Sequence, residues 1–367
     1  LENYFLDFQI IEDGYEIYNG KVEIPALKPN ESIAIELPFD VELNKEKESF
    51  INIQARLKES NLWAKKDYPI SQAQFPLNKI ENRLKPVVES KEKFNVKEDK
   101  NQITLENNGF EISFDKQNGE ILYWKYDGFE VISDRKGSPH YNNNRWIEND
   151  KHGDSISGDI ASSCEINLNK EHTKAEVKIT TKGEKCPYTI EYIVYSNNIV
   201  DMKVTMNPIV EGLRRLGLGM IFSKDFEEID YYAKGPWENY IDRQEASFVG
   251  RYSTTVSDML TPYAHPQSCG NRQEMREIFL YKKGSTKGLK IEANQPIAFS
   301  MLHFDDKDFN KEKLHPWELE AREEVYAHFD FVQRGLGNGS CGPQTIEKYQ
   351  VPSSGTYSFT LRFSPLR

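Results

Sequence analysis

Hydrophobic and polar positions alternate with a period of two through much of this chain. Tyr4, Leu6, Phe8 and Ile10 occupy every second position, Tyr15-Glu16-Ile17-Tyr18 resumes the alternation, and Ile33–Leu37 and Phe50–Leu57 repeat it. That is the period of a strand with one face buried. Glu12-Asp13-Gly14, Asn19-Gly20 and Pro29-Asn30-Glu31-Ser32 supply turns between these runs. Short strands so spaced predict an immunoglobulin-like β-sandwich over residues 1–78.

From Ile103 the alternation resumes and runs to the C-terminus. ITL at 103–105, FEISF at 110–114, GEIL at 119–122, AEVKI at 175–179, YTIEY at 188–192, IVDMKV at 199–204 and YSFTLRF at 357–363 all read as strands. So many strands in one domain, residues 101–367, require two large facing sheets. A helical period is not sustained; the nearest case is Asp308–Trp317, which Pro316 limits to one or two turns. The strand–helix alternation of a TIM barrel is absent. Residues 79–100 are polar and charged and contain Pro86, the composition of a linker, with Val87-Val88 placed to pair with a neighbouring sheet.

The stretch Tyr231–Arg272 breaks the pattern. It reads YYAKGPWENYIDRQEASFVGRYSTTVSDMLTPYAHPQSCGNR. Gly235-Pro236 is a turn signal, Trp237, Tyr240, Tyr252 and Tyr263 offer flat faces with polar tips, and Glu238, Asp242, Arg243 and Arg251 can form charge-assisted pairs. Such a segment is expected to be a long ordered loop held by its own hydrogen bonds.

GPWENYIDR at Gly235–Arg243, with TPYAHPQSCGNR at Thr261–Arg272 in the same order and at similar separation, resembles the last domain of bacterial lactase-type β-galactosidases, glycoside hydrolase family 2. Trp63-Ala64 and Gln74-Phe75 resemble the sandwich domain before it. The family's first sandwich strand, near an N-x-x-x-F run, has no counterpart here, which implies an absent edge strand. The resemblance implies an all-β chain: an immunoglobulin-like sandwich followed by a galactose-mutarotase-like supersandwich.

Composition narrows the partners. The net charge is −11 and no basic run stands free of Glu, which argues against nucleic acid and anionic membranes. No apolar run approaches the ~20 residues of a membrane span. LENYFLDFQI is not a signal peptide and lacks an initiating Met, so the sequence is expected to be part of a longer product. Cys164, Cys186, Cys269 and Cys341 fit no zinc or redox spacing and are expected as free thiols.

Retaining glycosidases need two carboxylates about 5 Å apart. The resemblance places both on a TIM barrel ahead of these domains, so this chain is expected to hold no catalytic residue and no metal; any divalent cation of the whole enzyme belongs to the barrel. Its implied role is to buttress that barrel in the same chain, lend a loop to the galactoside pocket, and take part in a homo-oligomer. The loop is FVQRGLGNGSCGP at residues 331–343, where Asn338, Ser340 and Cys341 are candidate substrate contacts. Cys341 stands where relatives carry a Trp; it reads equally as a small buried thiol beside a glycine-rich turn. SPHYNNNRWIEND, residues 138–150, resembles a W-R-A-P-x-x-N-D run out of register, and Arg145 within it is a further substrate candidate or part of a self-bonded loop. Two rival readings remain open: a stand-alone aldose mutarotase-like enzyme using His265 and Glu238, and a carbohydrate-binding module using Trp146, Trp237 and Tyr240.

Overall fold

Turns fall where the backbone needs a positive φ and the sequence offers Asp, Asn or Gly; Asp13 and Gly14, with φ of 46° and 82°, close the first hairpin. The computed structural model describes residues 1–88, 90–147, 161–310, 312–337 and 345–366, with backbone alone at 161 and 162. The chain forms two units, Leu1–Glu81 and Asn82–Arg367.

The first unit contains β1 (Tyr4–Glu12), β2 (Tyr15–Glu23), β3 (Ser49–Leu57) and β4 (Pro69–Asn78), antiparallel in the order β2-β1-β3-β4. One face buries Phe8, Ile10 and Ile51, against which Leu37, Val41 and Leu43 pack. Phe8 lies over Gly20, where a Cβ would stand 2.6 Å from Cζ. The middle of the opposite face is polar: Gln74 donates to Asn52 at 2.8 Å, Asn52 to Gln9 at 3.3 Å, and Arg56 pairs with Asp7 at 2.8 Å. The expected strand Ile33–Leu37 is irregular chain. Leu37 packs on the sheet while Ile33 is exposed, without a hydrogen-bonded ladder, so the layer facing the sheet is built without strands among the described residues.

The second unit holds a five-stranded meander, β5 (Asn95–Glu98), β6 (Gln102–Asn107), β7 (Phe110–Asp115), β8 (Ile121–Tyr126) and β9 (Phe129–Glu130), in sequence order. Its large sheet contains β10 (His140–Tyr141), β11 (Ala161–Leu168), β12 (Lys174–Thr181), β13 (Tyr188–Tyr195), β14 (Ile199–Met206), β15 (Arg215–Phe222), β16 (Phe226–Gly235), β17 (Phe248–Thr255), β18 (Arg272–Lys282), β19 (Gly288–Leu302), β20 (Val325–Gln333) and β21 (Tyr357–Leu366). The main path runs β10-β15-β20-β19-β21-β14-β13-β12-β11, and β18, β16 and β17 branch from β19. The two sheets share one core. Trp124 meets Phe363 edge-on at 5.2 Å, Phe114 meets Tyr192 at 5.5 Å, and Val177, Ile190, Val204, Leu218 and Phe329 fill the space between. These are the two facing sheets that the alternation requires, in the all-β supersandwich that the resemblance implies.

Two expectations are corrected in detail. The segment 79–100 is not wholly linker: Phe94 is buried in the core and Asn95–Glu98 is a strand. Its first half is strapped to the large sheet, since Arg83 N–H donates to Asn294 O at 3.1 Å and Arg362 to Lys85 O at 2.6 Å. Val88 is tied by Asn197, which donates to its carbonyl at 3.1 Å, rather than by a ladder. The stretch Tyr231–Arg272 is not one loop, because β17 lies inside it and pairs with β16. The Asp308–Trp317 region carries single 3-10 turns at Asp306–Asp308 and Pro316–Glu318. β15 escaped the period-two reading because both its faces are covered, so buried residues run without alternation.

Candidate functional site

β15 turns Leu216, Leu218, Met220 and Phe222 into the core. Its other face, Arg215, Gly217 and Gly219, underlies a buried polar cluster. Gly219 sits opposite His140 on one side and His328 on the other, and Gly217 sits opposite Asp330. Both glycines leave room for neighbours: a Cβ on Gly217 would lie 2.0 Å from Asp330 Oδ1, and one on Gly219 3.3 Å from the His140 ring.

The cluster is a chain of charges. Asp306 Oδ2 accepts from Asn142 at 2.8 Å and lies 2.8 Å from His328 Nε2, while its Oδ1 is 3.7 Å from Arg215. Arg215 Nη1 donates to Asp330 Oδ2 at 3.1 Å, and Gln333 Nε2 donates to the same oxygen at 3.2 Å. Arg215 and Asp330 are 4% and 0% exposed, so neither charge is solvated by water. Burial works to raise the Asp306 carboxyl, but His328, Arg215 and Asn142 outweigh it and hold the group at about 2. Burial depresses His140, and the nearby His328 adds to that effect.

Gln333 passes the network to Arg145. Arg145 Nη1 donates to Gln333 Oε1 at 3.2 Å and to the Arg334 carbonyl, and Nη2 donates to the Gly335 carbonyl at 3.3 Å. This guanidinium is 2% exposed. Arg145, a candidate for the sugar or for a self-bonded loop, is directed at backbone carbonyls where the glycine-rich segment leaves β20. Asn144 N–H donates to Asn142 Oδ1 at 2.7 Å, and Asn143 Oδ1 accepts from Arg214 and Arg215 N–H, so the three asparagines bond within the protein. Asn338, Ser340, Cys341, Asn149 and Asp150 lie outside the described residues.

A second cluster braces the GPWENYIDR motif. Glu238 accepts from Arg243 at 2.6 Å, from Gly270 N–H at 2.8 Å and from Tyr263. Burial, with the Glu238 carboxylate adding to it, pushes the Tyr263 phenol up to about 12. Both oxygens of Glu238 are thereby engaged by donors of the motif and its neighbours. Arg251 pairs with Glu277 at 2.5 Å, not within the motif. Asn239 donates to Lys234 O and Trp237 O and accepts from Gln273 N–H at 2.8 Å. Trp237 is 74% exposed. Trp146 is half-buried against the core, and Tyr240 is buried with its phenol shifted well up by burial and by Glu238.

Sequence reading missed Arg215, Asp306, His328 and Asp330. They are scattered along the chain and meet only through strand register. The i, i+2 spacing of His328 and Asp330, opposite the Gly217 and Gly219 pair, was the available signal. Among the described residues no group of three His, Cys, Asp or Glu is arranged to hold a metal ion. Cys164, Cys186 and Cys269 are free thiols.

Residues 106–363 match the model of the beta galactosidase small chain, and residues 1–78 match that of beta-galactosidase domain 4. A beta-galactosidase of Streptococcus thermophilus is 24% identical over 98% of this chain and 35% of its own length, and one of Actinobacillus pleuropneumoniae is 23% identical over 98% and 36%. One of Staphylococcus xylosus is 32% identical over 41% of this chain and 15% of its own length. Among solved structures, a galactose mutarotase related enzyme from Lactobacillus acidophilus aligns at a TM-score of 0.42 with 10% identity, over 72% of this chain and 97% of that one. The chain spans about a third of the two relatives that it matches from end to end. It belongs to the beta galactosidase small-chain family, its small-chain domain following a region of the beta-galactosidase domain 4 type.

Proposed function

We propose that this chain is the non-catalytic C-terminal part of a retaining β-galactosidase acting on terminal β-D-galactosides. The observation that carries this reading is the pair of consecutive family matches across a chain only about a third as long as its relatives. The acid/base and nucleophile carboxylates are supplied by a TIM barrel elsewhere in the complete protein, as is any divalent cation. The acidic groups of the polar cluster support this division of labour. Asp306 is engaged on both oxygens, Asp330 Oδ2 is held by Arg215 and Gln333, and in the second cluster Glu238 accepts from Arg243 and Gly270; a carboxylate so engaged is a poor nucleophile or proton carrier.

The small-chain domain buttresses that barrel and lends the segment containing Asn338, Ser340 and Cys341 to the galactoside pocket, with Arg145 serving the sugar from beneath by holding the segment's base. A chromogenic β-galactoside assay of this chain beside the complete protein tests the reading. Hydrolysis by the complete protein alone is expected, and turnover by the isolated chain would overturn it. Cys341→Trp in the complete enzyme is the informative variant for the pocket: it restores a stacking face and is expected to lower KM for galactosides with a ring-shaped aglycone.

A further inference from the structure

Residues 82–87 pass over the face of the large sheet that is turned away from the core. On that face Asp201, Thr360 and Arg362 alternate with the core residues Val200, Leu361 and Phe363. Between this strap and the sheet lies a groove of about 390 Å³, at the lower end of the range for small-molecule sites. Both of its walls are fixed. Arg362 grips Asp201 in a two-point pair, Nε to Oδ1 at 2.7 Å and Nη2 to Oδ2 at 2.8 Å, and its Nη1 donates to the Lys85 carbonyl at 2.6 Å. Arg83 N–H donates to Asn294 O at 3.1 Å, and Asn82 Oδ1 accepts from Leu84 N–H at 3.1 Å. Pro86 restricts the backbone that follows.

The lining has a definite chemistry. Asn294 uses its Oδ1 on Thr360 N–H at 2.8 Å, as Asn82 uses its own on Leu84. The NH2 groups of both asparagines and the Thr360 hydroxyl take no protein partner among the described residues. The charged side chains of the wall are paired, Arg362 with Asp201 and Lys174 with Glu176 at 2.9 Å. Leu84, Pro86 and the half-buried Tyr195 ring add apolar surface. Neutral donors, one hydroxyl, paired charges and apolar wall suit a ligand with hydroxyls on its edges and C–H groups on its faces. An uncharged saccharide is such a ligand: each sugar hydroxyl can accept from a carboxamide and exchange bonds with a threonine. A small anion would meet the Asp201 carboxylate, and a purely apolar ligand would leave the amides unpaired.

We propose that the groove between residues 82–87 and the outer face of β14, β19 and β21 is a binding site for a neutral mono- or disaccharide. Saturation-transfer difference NMR on this chain tests it, with lactose, D-galactose and maltose as probes. Inorganic phosphate, followed by 31P line broadening, is the anionic control. A saturable signal from at least one sugar is expected, with Kd on the order of 1 mM, since an open groove with few donors binds weakly. Thr360→Val removes a hydroxyl that bonds nothing in the protein and keeps a β-branched strand residue, so the melting temperature should not move. It is expected to weaken sugar binding roughly threefold to tenfold, and Asn82→Ala to do the same through the strap wall. Trp237→Ala, at an exposed ring on another part of the domain, should leave Kd unchanged. No saturable signal from any of the three sugars would overturn the proposal. So would sugar binding that both groove variants leave intact, or that Trp237→Ala abolishes, because the ligand would then sit elsewhere. Phosphate broadening without any sugar signal would assign the groove to anions and equally overturn it.

Discussion

Removing the Asp330 carboxylate is the sharpest test of how the polar cluster is held. Asp330 is fully buried, 3.1 Å from the Arg215 guanidinium. At an effective dielectric of about 20, a pair at that separation attracts by roughly 5 kcal/mol. Asp330→Ala forfeits this and the Gln333 bond, and strands a buried guanidinium whose nearest remaining carboxylate is Asp306, 3.7 Å away. That second partner offsets part of the loss, so the net cost is expected at about 3–4 kcal/mol, within the range for a buried pair broken on one side. The double replacement Arg215→Met with Asp330→Leu removes both charges and keeps apolar volume. It should cost clearly less than the sum of its single replacements. Urea unfolding followed by tryptophan fluorescence reads both, as a fall in midpoint at unchanged slope. A single-variant cost below about 1 kcal/mol, or strict additivity of the pair, would refute the claim that these charges stabilise each other in a dry site.

Acid should loosen the same cluster. Asp306 is held at about 2 against an ordinary 3.8, so its stabilisation is full above 3.8 and is lost as pH falls towards 2; the difference corresponds to about 2 kcal/mol. Asp306→Asn should flatten that part of the stability profile. His140 is depressed below 6.5, so the unfolded chain takes up its proton first and stability declines as pH falls through 6.5; His140→Gln should remove that limb in acid titration of the unfolding midpoint. Gly217→Ala would set a Cβ 2.5 Å from the Phe329 carbonyl as well as against Asp330, and should destabilise by about 2–3 kcal/mol even when Asp330 is truncated, since backbone cannot swing aside. Cys269, pushed up to about 12 by burial, and Cys186, fully buried, should resist iodoacetamide at pH 8 until urea unfolds the chain, as mass spectrometry of the alkylated peptides would show.

Alternation was enough to locate β1, β3, β6, β7, β12, β13, β14 and β21, because each has one face in a core and a more exposed one opposite. It failed where that asymmetry fails. β15 is covered on both faces, and Ile33–Leu37 is irregular chain in which Leu37 packs on the core while Ile33 is exposed. The motif Gly235–Arg243 was legible as a family signature and as a bonded unit, and Glu238–Arg243 was legible as a pair.

The role of each motif residue was not legible in the same way. Asp242 adjoins a positive residue in sequence, yet its bonds go to amides 94 and 95 positions away. Arg145 donates across 189 and 190 positions. Strand order and register decide such meetings, and they follow from how the two sheets bury their shared core, not from any local preference. By itself the sequence determined an all-β chain, its strand faces, its charge and the family its motifs indicate. Only the tertiary structure decided that Asp306, His328, Arg215 and Asp330 form one buried network and that Asp242 and Arg145 both bond the backbone of residues 334–337. The reason is physical: a period of two records which side of a strand meets apolar neighbours, whereas a polar side chain's partner depends on which strand lies alongside, a choice made by the packing of the whole domain.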